Sequence, residues 1–123
     1  MSIYVKTNEV SNVFFPIHIE EEEIFSMIFK NNQTNKEYEI SVLTINITER
    51  GFIAPIIVTG KEAEPIYTFN EEYETEINIP VGTYNVKCFD IDGNERIVML
   101  HIKSDTTTTV YTAGENKDII YNG

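Results

Sequence analysis

The sequence is poor in cysteine, in strong helix formers and in positive charge. Its 123 residues contain one cysteine, Cys88, which excludes an intrachain disulfide framework and leaves a four-cysteine zinc cluster without ligands. Only 2 Leu and 3 Ala accompany 19 Ile, 13 Thr and 9 Val. Because β-branched residues fit a pleated sheet whereas Ala and Leu favour helices, this composition indicates an all-β protein.

The shortage of positive charge narrows the classes of partner. Lys and Arg number 9 against 20 Asp and Glu, a formal net charge of −11. Nucleic acids and anionic lipids are bound through clustered cations, so we expect neither a nucleic-acid nor a membrane partner. The first ten residues lack the basic segment and apolar run of a signal peptide, and no apolar stretch approaches membrane-spanning length. We therefore expect synthesis in a cytoplasm.

The length and the spacing of apolar runs predict one domain. The chain is long enough for a single core, and its 41% hydrophobic content is that of a globular protein. Short apolar runs separated by turn residues predict a single Ig-like β-sandwich over residues 1–123, with eight or nine short, mostly antiparallel strands and a C-terminal arm over 115–123. The strand candidates cover residues 3–6, 13–19, 24–32, 37–49, 51–60, 66–69, 75–80, 83–89, 96–102 and 106–112.

Two local features predict irregularity within these strands. Pro16 and Pro55 each lack a backbone donor, so both are expected at an edge or a bend, and Pro55 disfavours a central position for its strand. In "EYEISVLTINITE" the apolar positions change phase after Val42, which predicts a β-bulge that moves the side chains to the other face.

The acidic segment "DIDGNE", Asp90 to Glu95, offers calcium binding as an alternative to a turn. An EF-hand loop needs D-x-D-x-D-G with a glutamate six residues after the glycine, and here Gly93 comes two residues too early. Asp-Gly between alternating apolar runs is instead a hairpin signal, because primed turns need positive φ at their central residues. We therefore interpret the segment as a primed turn.

The remaining candidates for site chemistry are Cys88, His101 and His18. Cys88 and His101 could form a nucleophilic pair across a hairpin, but Cys88 continues the alternation of Tyr84 and Val86, which is typical of a core face. His18 has no second histidine at metal-ligand spacing. Phosphate loops, nucleophile elbows and H-E-x-x-H are missing from the sequence. We therefore predict no catalytic residue, no cofactor and no metal site.

Apolar residues that a single core cannot bury together are better candidates for functional residues, because they could contact a partner. Phe14 and Phe15 are adjacent, so on a strand they point to opposite faces. Ile119, Ile120 and Tyr121 form an apolar group near the C-terminus, where a strand would add to an edge of its own sheet or of a neighbour's. These five residues are the predicted interface.

Two segments resemble structural proteins of tailed phages. "INIPVGTYNVKCFDIDGNERIVMLHI" followed by "TTTTVY" resembles the closing hairpins of small Ig-like or transthyretin-like β-sandwiches, including a tyrosine corner at Tyr84. "EIFSMIFKNNQTNKEYEI" resembles the first hairpin of small structural proteins of crAss-like phages, and the ending "DIIYNG" is similar to their aromatic-Asn tails. That family includes Ig-like auxiliary capsid proteins and head fibres, and the motifs shared with it are folding motifs.

The leading hypothesis is a non-enzymatic virion protein on the capsid exterior, either a capsid decoration protein or a head-fibre subunit. The resemblance implies the major capsid protein and further copies of the chain as partners. A carbohydrate- or protein-binding adhesion module is the first alternative, for which Tyr67, Phe69 and Tyr73 would form an aromatic groove. An acidic inhibitor of a host nucleic-acid-binding protein is the second, and it predicts carboxylates on one side of the molecule.

Overall fold

The computed structural model describes residues 2–21 and 24–105, which form an all-β sandwich of two sheets. No helix occurs in these residues, and so none that could cross a membrane. The predicted all-β sandwich is confirmed, and the Thr-rich strand candidate at 106–112 and the arm at 115–123 lie outside the described residues. The nine strands are Ser2–Lys6 (β1), Val10–Phe15 (β2), Ile24–Asn31 (β3), Glu37–Leu43 (β4), Phe52–Gly60 (β5), Tyr67–Phe69 (β6), Thr75–Pro80 (β7), Gly82–Phe89 (β8) and Glu95–Lys103 (β9).

Both sheets are mixed. The five-stranded sheet has the order β1-β9-β8-β3-β4 and the four-stranded sheet the order β2-β5-β7-β6. Strand β1 pairs in parallel with β9, and β5 in parallel with β7, whereas the other five pairings are antiparallel. The expectation of eight or nine mostly antiparallel strands is therefore confirmed for the part of the chain that the structure describes.

The core lies between the two sheets and is built by period-2 alternation. In β8, Tyr84, Val86 and Cys88 point inward, while the residues between them face solvent. Aromatic rings fill the two ends of this layer. The largest fully buried side chains are those of Phe15, Ile17, Met27, Phe29, Ile40, Val42, Phe52, Ile56, Ile77, Ile79, Tyr84 and Leu100.

A tyrosine corner joins β7 to β8. The Tyr84 side chain is fully buried, and its hydroxyl donates a 2.8 Å hydrogen bond to the carbonyl of Pro80. Gly82 makes the turn with a φ of 142°, a value that side chains rarely allow. The hydroxyl thus satisfies a backbone acceptor at the bend, which is the geometry that "IPVGTY" predicts.

The structure corrects two local expectations. Strand β5, which contains Pro55, is an inner strand of its sheet and not an edge. Its pairing with β7 begins only at Ile56, so Pro55 lies where the strand has a registered neighbour on the β2 side alone, opposite Asn12. The phase change after Val42 is likewise not a bulge: β4 ends at Leu43, and the chain then crosses to the other sheet through a bridge from Ile45 to Ile53 of β5.

Candidate functional site

Phe14 and Phe15 lie on opposite faces of β2, as their adjacency predicts. Phe15 is fully buried and stacks on Phe52, with ring centroids 5.4 Å apart. Phe14 points away from the core and keeps 41% of its surface exposed. Of these two residues, only Phe14 is available to a partner. The other predicted interface residues, Ile119, Ile120 and Tyr121, lie outside the described residues.

Phe14 belongs to the outer surface of the four-stranded sheet, which is uncharged over β2 and β5 and meets its first charge at Glu76 of β7, the registered neighbour of Ile57. Its registered neighbour on β5 is Ile53, and Val10 is paired in the same way with Ile57. Val10 is 47% exposed, and the two isoleucines are half-buried. We call this surface the Phe14 face; the outward residues that β2 and β5 contribute to it are Val10, Asn12, Phe14, Ile53, Pro55, Ile57 and Thr59.

Strand β2 is also the least protected sheet edge. Among the described residues it pairs with β5 alone, and its sequence "VSNVFF" contains no charge and no proline. The three other edge strands carry recognised protections against pairing: β1 ends in a lysine, β4 has two outward glutamates, and β6 has three residues. An additional strand would therefore meet the smallest obstacle at β2.

The segment Asp90 to Asn94 is a turn, as predicted, but of a different type. The Gly93 N–H donates to the Asp90 carbonyl at 2.9 Å, and within the loop only Gly93 has positive φ, 83°. A primed turn needs positive φ at both central residues, so this loop is instead a β-turn closed by a left-handed glycine. The first acidic side chain of the loop, that of Asp90, accepts hydrogen bonds from within the same hairpin.

Asp90 is saturated by its own loop. Its Oδ1 accepts the backbone N–H groups of Asp92 and Asn94 at 3.0 and 2.9 Å, and Oδ2 accepts the Arg96 Nε–H at 2.9 Å. The bond from Asn94, followed by that from Arg96, holds the pKa of the Asp90 carboxyl below its usual range despite partial desolvation. Among the described residues, no group of three or more His, Cys, Asp or Glu side chains could hold a metal ion.

Cys88 and His101 are not brought together. Cys88 points into the core opposite Arg96, whereas His101 is on the outer face opposite Thr83. Burial raises the pKa of the Cys88 thiol from its ordinary 9.0 to about 11, and Asp90 adds to the shift, so the thiolate is disfavoured. The His101 ring stacks on Tyr4 with centroids 4.6 Å apart, and its Nδ1 lies 3.1 Å from the Thr83 hydroxyl.

The sequence interpretation missed a second apolar surface, on the outer face of the five-stranded sheet. Phe89 and Ile97 are each 57% exposed there, and Met99 is 36% exposed. The signal was present in "RIVMLHI", where four apolar residues, Ile97 to Leu100, follow one another without interruption instead of alternating with polar residues. Such a run places apolar side chains on both faces of a strand.

The structure brings together only part of the aromatic groove and of the one-sided carboxylate surface that the two alternative hypotheses predict. Tyr67 and Phe69 lie on the same side of β6 with ring centroids 5.7 Å apart, and Tyr73 is 46% exposed in the following loop. Residues 61–76 contain six glutamates and one lysine. Within this acidic segment, Glu62 already accepts hydrogen bonds from the Tyr38 hydroxyl and from Lys36 Nζ, both at 2.7 Å.

The described residues therefore present two exposed apolar surfaces: one over β2 and β5 beside an unprotected edge, and one among charged residues on the other sheet. Comparison of the chain with protein-family models, with curated proteins and with solved structures finds no match.

Proposed function

We propose that this chain is a non-enzymatic structural protein of a tailed-phage virion, a capsid decoration protein or head-fibre subunit, that docks through the Phe14 face and the edge of β2. The observation that carries the proposal is the coincidence of an exposed phenylalanine, an uncharged face and an unprotected edge on one strand. The resemblance of its hairpins to Ig-like phage proteins supports the same assignment.

The energetics of this surface suit docking on a large partner. Covering an exposed phenylalanine and a valine removes apolar surface from water and contributes about 1–3 kcal/mol for each side chain. Strand addition to β2 would satisfy backbone donors and acceptors that β5 does not reach. Within this proposal the partner is the major capsid protein, the site of action is the capsid exterior, and synthesis takes place in the host cytoplasm.

The test is cosedimentation of the purified protein with assembled capsids of a crAss-like phage. The wild type should pellet with the capsids, and Phe14→Glu should reduce the bound fraction about tenfold or more, because a carboxylate would be desolvated in the contact. Phe69→Ser is the matched control, since Phe69 is exposed to the same extent, 40%, on a different strand. Absence of wild-type binding, or equal binding by Phe14→Glu, would overturn the proposal.

The paired rings of Tyr67 and Phe69 favour the adhesion module as a second candidate. An aromatic platform of this kind could stack on the apolar face of a sugar ring. In that case Phe69→Ser, and not Phe14→Glu, should abolish binding on a glycan array. A wild-type protein that binds capsids and gives no hit on the array would exclude this candidate.

A further inference from the structure

Charges on the outer face of the five-stranded sheet are unevenly distributed along its strands. The face carries four outward lysines and three outward glutamates, which are Lys6, Lys30, Lys87, Lys103, Glu37, Glu39 and Glu95. Lys30 is in register with Glu37 on β4. Lys87 is diagonal to Glu95 on β9. Each of these two lysines therefore has a carboxylate on the neighbouring strand.

Lys6 and Lys103 instead lie beside each other. They are partners in the parallel pair β1–β9, so their side chains leave the same face of the sheet from backbones about 4.8 Å apart. Like charges at the same level of neighbouring strands repel each other. Within residues 2–21 and 24–105 neither lysine forms an ion pair, whereas Lys36 and Arg96 are paired with carboxylates at 2.7 and 2.9 Å. A chain with a net charge of −11 thus keeps two adjacent cations without a described counter-charge.

The carboxylates closest to this pair in the sequence do not neutralise it. Asp105 Oδ1 accepts a hydrogen bond from the Thr7 hydroxyl at 3.2 Å, and the Asp105 N–H donates to Thr7 Oγ1 at 3.0 Å. Glu9, in the turn after β1, forms no ion pair with a described residue. Both ammonium groups are therefore available to an oxyanion from outside the chain.

His101 adds a third donor that is held in place before any ligand binds. It precedes Lys103 by two residues on the same face, and its ring stacks on Tyr4 with an interplanar angle of 12°. The Thr83 hydroxyl, 3.1 Å from Nδ1, can donate to that atom, and the ring proton is then on Nε2 at the opposite side of the ring. Lys103 Nζ lies 5.6 Å from the centroid of the Tyr4 ring, which also orients this ammonium group.

We propose that Lys6, Lys103 and His101 form a binding site for a single tetrahedral oxyanion, a sulfate or phosphate group. Hydrogen bonds from cationic donors to oxyanions are stronger than neutral ones, and a bound anion would also remove the repulsion between the two lysines. A tetrahedral oxyanion offers each of three donors an oxygen of its own, whereas a carboxylate has only two oxygens. We call these three residues the anion site.

The charge of the whole chain limits the kind of molecule that carries the oxyanion. A net charge of −11 repels polyanions, which need many clustered cations to bind. The ligand is therefore a small anion or one sulfate or phosphate ester on an otherwise neutral molecule. The inference goes beyond the proposed function and does not rest on it, because the anion site and Phe14 lie on different sheets.

The test is an NMR titration of the isotope-labelled protein with sodium sulfate at neutral pH, with sodium chloride at equal ionic strength as the reference. The signals of the anion site should shift saturably, with a dissociation constant on the order of 10 mM, because the donors are exposed to water. Shifts that do not saturate, or that chloride reproduces, would overturn the inference.

Three variants and a matched control locate the binding. Lys6→Gln and Lys103→Gln should each weaken sulfate binding about fivefold or more, because each removes one charged donor. His101→Phe keeps a ring on Tyr4 but removes the donor, so it should also weaken binding. Lys87→Gln, the same charge change on the same face, should leave binding unchanged. Equal weakening by Lys87→Gln would show that overall charge governs binding and would contradict the anion site.

A second titration identifies the source of the oxyanion. A sulfated monosaccharide that binds about tenfold more tightly than inorganic sulfate would support the site and assign it to sugar esters, whereas equal affinities would support the site and assign it to the free ion. Tighter binding of a single-stranded DNA oligomer than of sulfate would contradict the exclusion of polyanions. None of these measurements involves capsids, so their failure would leave docking through Phe14 in force.

Discussion

The two outer faces of the sandwich both expose apolar residues, but they differ in the charges that surround these residues. On the Phe14 face, none of the seven outward residues of β2 and β5 is charged, and the edge strand has unpaired backbone beside it among the described residues. On the outer face of the five-stranded sheet, seven charged residues accompany Phe89, Ile97 and Met99. An uncharged face with an open edge suits a partner that supplies a strand, whereas a face of balanced charges selects a partner of defined orientation.

Cys88 gives the largest expected effect, because its thiol is buried in the core. With a pKa of about 11 against 9.0 for an ordinary thiol, its thiolate fraction at pH 8 should be about 100-fold lower than in the unfolded chain. Iodoacetamide labelling followed by mass spectrometry should therefore be at least that much slower in the native state than in urea.

The pH dependence of Cys88 follows from the sign of the shift. Because folding favours the neutral thiol, its contribution to stability is complete below pH 9 and is lost as the pH rises towards 11. Rapid labelling of the native protein at pH 8 would show that the sheet opens at β8.

A lysine placed on the β2 edge should show whether capsid binding depends on this edge and not on the outer face of the other sheet. Asn12→Lys introduces an outward charge at the centre of this strand, the protection that natural edge strands use, so capsid binding should fall about tenfold. Thr83→Lys, the same kind of change on the other sheet, should leave capsid binding intact, and equal effects of both variants on capsid binding would remove the distinction between the faces.

The smallest expected effect is on stability. Val10→Thr and Ile97→Thr should each change the free energy of unfolding by no more than about 0.5 kcal/mol, because both side chains are half exposed in the isolated subunit. Urea denaturation at low protein concentration measures this. A loss of about 2 kcal/mol in either variant would mean that the face contributes to folding and that its apolar residues need no partner to explain them.

The sequence predicts where the strands lie along the chain better than it predicts which strands pair with each other. Alternation and turn residues locate β3, β7, β8 and β9, and "PVGTY" predicts the Tyr84 corner, because these signals act between residues close in the chain. The parallel pairings of β1 with β9 and of β5 with β7 leave no local signal, which is why Pro55 was wrongly expected to exclude an inner strand. The outer face of the five-stranded sheet was missed for a related reason: its residues come from five strands, and only the register shows that they are neighbours.

The parallel pair β1–β9 also determines how the domain would bear a pulling force. The start of β1 and the end of β9 lie at opposite ends of this pair, so tension between them would slide the two strands along each other and load all of their hydrogen bonds together. Beyond the strands, the Thr7 N–H donates to the Lys103 carbonyl at 2.9 Å, and Thr7 and Asp105 exchange hydrogen bonds in both directions. Tension between these strands would therefore be resisted by hydrogen bonds that are loaded in shear. The rate at which these bonds break together would determine how long the sandwich stays folded under force.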